Sequence, residues 1–151
     1  MRRILVSLLL ALVAVTTVTT VTAQNATRSK WSNQMLEAKH QFIMQKVGLT
    51  PTQKEKFMPL YAAMESEIYD VNRQARATAA AVAKKSHVKD SEYKAAADAL
   101  SNAKVQEGEI EAKYYAQFGK ILSPKQLFLL KQAELDFNKQ MIRGSSRHRQ
   151  K

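Results

Sequence analysis

Cysteine is absent from the 151 residues. That absence excludes a disulfide framework, a thiol nucleophile, a cysteine zinc site and a lipid-modified cysteine at a processing point. Glycine and proline are scarce, with 4 and 3 residues, while 45% of the chain is hydrophobic. This balance suits one compact helical domain and not a disordered chain. Acidic residues are also in short supply: 13 Asp and Glu face 24 Lys and Arg, for a formal charge of +11. So basic a surface attracts acidic proteins, anionic membranes or nucleic acid.

The N-terminus reads as a secretory signal. Arg2 and Arg3 are followed by an apolar run over residues 4–15, broken only by Ser7, and then by the small-residue site Val21-Thr22-Ala23. The run is shorter than the ~20 residues of a membrane span. Cleavage after Ala23 removes two arginines and leaves 128 residues carrying +9. Periplasmic export is therefore expected, with no membrane insertion after cleavage, and nucleic acid becomes the least favoured partner. An uncleaved anchor is the plainer alternative. Residues 24–30 form a polar lead. Its Asn25-Ala26-Thr27 sequon matters only in a eukaryotic secretory route.

The rest of the chain reads as all-α. A first helix over residues 32–47 places Trp31, Met35, Ala38 and Phe42 on one stripe, with Leu36, Ile43 and Val47 beside it. Gly48 supplies a left-handed stop. Leu49-Thr50-Pro51-Thr52-Gln53 then forms a capping box: Thr50 caps, Pro51 takes the first helical position and Gln53 the third. The second helix, residues 51–83, has Phe57, Tyr61, Met64, Ile68, Val71, Ala75, Thr78 and Val82 at heptad spacing, as in a coiled coil. Pro59 should kink it near residues 55–59.

Residues 84–90 break the pattern as a hairpin tip, with Asp90 or Ser91 capping the third helix. That helix runs from about residue 91 to 118 or 122. Its seam is Tyr93, Ala96, Leu100, Ala103, Glu107, Ile110, Tyr114 and Ile121. Alanines near the tip of both long helices allow close approach there. The start signal then recurs as Leu122-Ser123-Pro124-Lys125-Gln126, with Leu122 able to staple onto Leu127. A shorter fourth helix ends near Ile142 and Gly144, before a basic, disordered tail over residues 144–151. The folded domain thus spans residues 31–143.

The two Leu-(Thr/Ser)-x-x-Gln boxes, in a basic helical chain with a signal peptide, resemble the LTxxQ-motif proteins of the Spy/CpxP family. Residues 42–51 followed by Lys56-Phe57-Met58-Pro59-Leu60-Tyr61 are similar to the Bacteroidetes-type branch, often labelled periplasmic sensors tied to extracytoplasmic-function sigma factors. The second box departs from the pattern in having Ser123 for Thr, and both hydroxyls cap. The resemblance implies an antiparallel homodimeric cradle that holds partly unfolded proteins without ATP. In relatives the same shape restrains a sensor kinase or binds metal, so an envelope-stress signalling role on a kinase or anti-sigma factor, or a metal-responsive role, stands beside the chaperone reading.

No nucleophile–base pair, phosphate loop or paired-acid constellation appears, so neither an enzyme nor a cofactor is expected. His40, His87 and His148 lack metal-ligand spacing, and no metal site is assigned. Candidate client contacts are Met58 and Tyr69 on the second helix, Val105 and Tyr115 on the third, and Lys131, Lys139 and Arg143 on the fourth. Met58 and the other methionines serve equally as core filler. The stripe Val105, Gly108, Ala112, Tyr115 and Gly119 suits close packing, against the chain's own helices before a second subunit. Glu107, set in a seam, should pair with a Lys or Arg.

Overall fold

The structure, a computed structural model, describes residues 33–148, with side chains through residue 143. The expected signal at residues 1–23, the polar lead and Trp31 lie outside the described residues. All regular structure among the described residues is helical. The described residues form four helices: α1 at residues 33–47, α2 at Pro51–Ala83, α3 at Asp90–Phe118 and α4 at Pro124–His148. The boundary between two compact units falls inside α1, between Ile43 and Met44.

Within the first unit, Ile43 is fully buried, Met35 and Phe42 are half-buried, and Ala38 is exposed. The expected stripe through Met35, Ala38 and Phe42 is therefore not the main buried one. Periodicity finds an apolar helix side but cannot choose between two neighbouring stripes.

In the second unit α2 and α3 pack together as a long antiparallel hairpin. Successive cross-links show the direction: Glu67 meets Lys113, Asn72 meets Glu107, and Lys85 meets Glu92. At 33 residues α2 is about 50 Å long. It starts where the sequence places it. Thr50 is extended (φ −67°, ψ 159°) and caps the helix, Pro51 fills the position whose N–H has no helical partner, and the helix continues through Pro59. Gly48 has φ 66°, a left-handed geometry that any Cβ would strain.

The hairpin seam departs from a strict heptad. Phe57, Tyr61, Met64 and Ala75 are buried as expected, but Thr78 is exposed and Ala79 turns inward instead. A seven-residue repeat drifts about 20° per heptad on a straight helix, so the contact line slips by one position toward the tip. On α3, Ala96, Ala103, Tyr114 and Phe118 are buried. Tyr93 and Leu100, expected in the seam, are 57% and 44% exposed. Alanines bring the backbones close there, and the larger side chains sit at the edge.

Two helix ends also differ from expectation. The N-cap of α3 is Lys89, not Asp90 or Ser91, and the Glu92 carboxylate accepts from the Lys89 backbone N–H at 3.1 Å. α4 runs through Gly144 to His148, beyond the expected end near Ile142. A glycine inside a helix costs about 1 kcal/mol but stops it only when it adopts positive φ. Gly48 is the one glycine with positive φ among the described residues.

Candidate functional site

The two capping boxes meet. Each first closes on itself: Gln53 N–H donates to Thr50 Oγ1 (3.2 Å) and Thr50 N–H to Gln53 Oε1 (3.1 Å). Gln126 N–H donates to Ser123 Oγ (3.2 Å) and Ser123 N–H to Gln126 Oε1 (3.0 Å). The two side-chain amides then bond to each other reciprocally, Gln53 Nε2 to Gln126 Oε1 at 2.9 Å and Gln126 Nε2 to Gln53 Oε1 at 3.0 Å.

The remaining amide hydrogens reach the two turns. Gln53 Nε2 donates to the Ile121 carbonyl (3.0 Å) and Gln126 Nε2 to the Gly48 carbonyl (3.3 Å). Every bond on one side has a counterpart on the other, which is a local twofold arrangement. Both amides use their full donor and acceptor capacity. Leu49 is half-buried and Leu122 buried beside them. The sequence shows each box as a local cap. The pairing that joins the starts of α2 and α4 emerges only in three dimensions.

Beneath this clasp lies an aromatic core. Phe57 and Phe118 meet edge-on at 4.8 Å between ring centroids, Tyr61 stacks on Phe57 at 5.3 Å, and Tyr115 meets Phe118 edge-on at 5.3 Å. Leu122, Leu130 and Ala133 are buried as well. Glu134 supplies the polar centre of this base. Tyr61 Oη donates to its Oε1 at 3.2 Å, and Tyr115 Oη to its Oε2 at 3.0 Å. Lys131 Nζ donates to Glu111 Oε2 at 2.6 Å and Glu134 Oε2 at 3.2 Å, and lies 4.7 Å from the Tyr115 ring centroid.

Burial and the Glu134 charge push both tyrosine hydroxyls well above their ordinary range, so both stay protonated donors. Burial works against the Lys131 charge, but its bond to Glu111 and the field of Glu134 outweigh it and hold the ammonium above its usual value. Tyr115 and Lys131 are thus held by bonds within the chain, while the Lys131 side chain remains 44% exposed.

The other candidate contacts do not share one surface. Met58 is half-buried, whereas Tyr69 and Val105 are 66% and 61% exposed. At 100° per residue, Val105 lies on the side of α3 turned away from α2. Lys139 and Arg143 are exposed on α4. The stripe through Val105 packs within the chain only at its base end: a Cβ on Gly119 would lie 3.9 Å from Leu127, while one on Gly108 would meet nothing within 4 Å.

The structure does assemble a mixed apolar and basic face on one side of the hairpin. Tyr69, Asn72 and Arg76 follow one another along α2, and Tyr93, Leu100 and Glu107, seven apart, along α3. The Asn72 amide donates to Glu107 at 3.4 Å, which makes the two strips neighbours. Lys104 donates to Glu107 at 2.7 Å and, with the Asn72 bond and the Arg76 charge, draws its carboxyl below the usual range despite partial burial. Glu107 is thereby paired as expected. The face presents Tyr69, Tyr93 and Leu100 among Arg76 and Lys104. Sequence reasoning missed Tyr93, Leu100 and Arg76 because it assigned the first two to the seam. A 3.6-residue period would have turned Tyr93 outward, but it leaves Leu100 on the same line of the helix as the buried Phe118.

No group of three or more His, Asp or Glu side chains able to hold a metal ion converges among the described residues, and none of the helices they form is long and apolar enough to cross a membrane. Comparison with known proteins gives no matching family model, no matching curated protein and no matching solved structure.

Proposed function

We propose that this chain is an exported, ATP-independent, chaperone-like binding protein of the Spy/CpxP kind, acting without covalent chemistry. The observation that carries the reading is the side of the hairpin bearing Tyr69, Tyr93 and Leu100 exposed among Arg76 and Lys104. Exposed aromatic and aliphatic groups gain by covering apolar segments of another chain, and the flanking cations attract acidic segments before contact. No deep pocket or ligand set is required. The excess of 24 basic over 13 acidic residues extends that attraction over the whole chain.

The leader at residues 1–23 gives the periplasm as the working compartment. Two copies pairing about a twofold axis bury part of what a single chain leaves exposed, including the small-residue stripe at Val105, Gly108 and Ala112. The clients are unfolded or partly folded envelope proteins.

An aggregation-suppression assay tests this with several unrelated proteins undergoing unfolding. Suppression of most of them, without nucleotide, is the expected result. Inactivity on all, with tight capture of a single envelope kinase or anti-sigma factor, would replace the reading with a dedicated signalling role.

A further inference from the structure

We propose a second interaction surface, on α4: its outward side lies along an anionic phospholipid surface. Phe128, Leu135 and Ile142 recur every seven residues and are 63%, 51% and 67% exposed. At 100° per residue they lie about 180° from Leu130 and Ala133, which are 0% and 2% exposed. One side of α4 thus closes the base of the domain, and the other carries an apolar stripe about 20 Å long into solvent.

Cations accompany the stripe. Lys139 sits between Leu135 and Ile142, with Lys125 and Arg143 toward its two ends, and all three are exposed. Of the two acids on the helix, Glu134 is turned inward to Tyr61 and Tyr115, leaving Asp136 alone at the surface. From residue 120 to the C-terminus the sequence has eight Lys and Arg against two acids. Apolar residues on one line, flanked by basic ones, are the composition of a helix that rests in the headgroup region of an anionic bilayer. The helix is not apolar enough to span it.

A second copy is a poorer occupant. A coiled-coil seam needs apolar side chains at both alternating core positions, and here the intervening residues are Lys131 and Asn138. An acidic peptide is poorer too, because a stripe one residue wide has no walls to select it, whereas a fluid lipid surface requires none.

The absence of cysteine makes the test direct. Leu135→Cys and Ala77→Cys variants of the full chain each carry one polarity-sensitive fluorophore. They are mixed with vesicles of equal parts phosphatidylcholine and phosphatidylglycerol. The probe at residue 135 should shift to the blue and be quenched by brominated lipid, and the probe at residue 77, exposed on the side of α2 turned away from α3, should not. The shift should vanish on pure phosphatidylcholine and weaken as salt rises. Phe128→Ser, in the labelled Leu135→Cys chain, should lower the apparent vesicle affinity about tenfold, and the charge reversals Lys139→Glu and Arg143→Glu should lower it as well.

No shift at residue 135 would overturn the proposal, as would an equal shift at residue 77 or vesicle binding indifferent to Phe128→Ser. A shift produced without lipid, by raising protein concentration or adding polyglutamate, would overturn it in favour of a second copy or an acidic peptide.

Discussion

At the scale of single residues, the paired amides Gln53 and Gln126 unite functions that the sequence presents separately. Each glutamine caps its own helix and also holds the other's turn. Replacing one leaves the partner amide and a turn carbonyl with lost bonds, so the two substitutions should not add. Gln53→Ala and Gln126→Ala should each lower stability by about 1–2 kcal/mol, and the double variant by clearly less than the sum. Urea denaturation of the four members of the cycle measures this; strict additivity would mean that the amides act independently. Gly108 gives the opposite sign. It sits in the interior of α3, is exposed, and has open space where a Cβ would stand. Gly108→Ala should raise stability by about 0.5–1 kcal/mol in dilute solution, through helix propensity alone. A gain that disappears as protein concentration rises would place the α3 stripe in a contact between two copies.

At the scale of elements, the α2–α3 hairpin is held by alanine and aromatic packing with carboxylate rungs along its edges. Glu67 is drawn below its ordinary pKa by its bonds to Lys113 and Tyr114, Glu92 by Lys85, and Glu107 by Lys104. A carboxylate depressed in the folded state adds stability above its unfolded pKa, which for glutamate is about 4.3. That contribution disappears as pH falls through the lower folded value. The melting temperature should therefore hold from neutral pH to about 5 and decline below about 4, more shallowly in Glu107→Gln. Circular dichroism melts across that range check it; equal slopes in the two proteins would remove Glu107 from the account.

These elements were largely legible beforehand. Thr50-Pro51 and Ser123-Pro124 mark the starts of α2 and α4, and Gly48 marks a turn, because capping and positive φ are local physics. What stayed hidden depends on neighbours distant in sequence. Tyr61 and Glu134 stand eleven residues after their respective caps and bond to each other, yet nothing local marks Glu134 as a half-buried acceptor. Spacing leaves Tyr115 open to either client contact or intrachain packing, because its cover, Phe118 and Glu134, arrives partly from another helix. α4 outran its expected end because a glycine was taken for a stop where the chain keeps helical geometry.

At the scale of the whole molecule, the proposed client capture would divide its work between charge and exposed apolar surface. With +11 on the chain, or +9 if residues 1–23 are cleaved as proposed, encounter with acidic segments would be steered at distances comparable to the screening length, about 8 Å at 0.15 M salt. Apolar contact acts only after arrival and is little screened. Association should therefore slow by roughly threefold to tenfold between low and moderately high salt, while dissociation changes little. The two tyrosines first considered as client contacts should now part company. Tyr69 is 66% exposed and beside Arg73 and Arg76, so Tyr69→Ser should leave the melting temperature nearly unchanged and quicken client dissociation by roughly threefold to tenfold. Tyr115 packs edge-on against Phe118 and donates to Glu134. Tyr115→Ser should instead cost about 2–4 kcal/mol of stability and alter client kinetics only as far as it unfolds the base. Stopped-flow binding of an unfolding client at two salt concentrations, with melting curves of both variants, separates these effects. If dissociation quickens in neither variant, or association ignores salt, then clients are not held on the Tyr69 side of the hairpin.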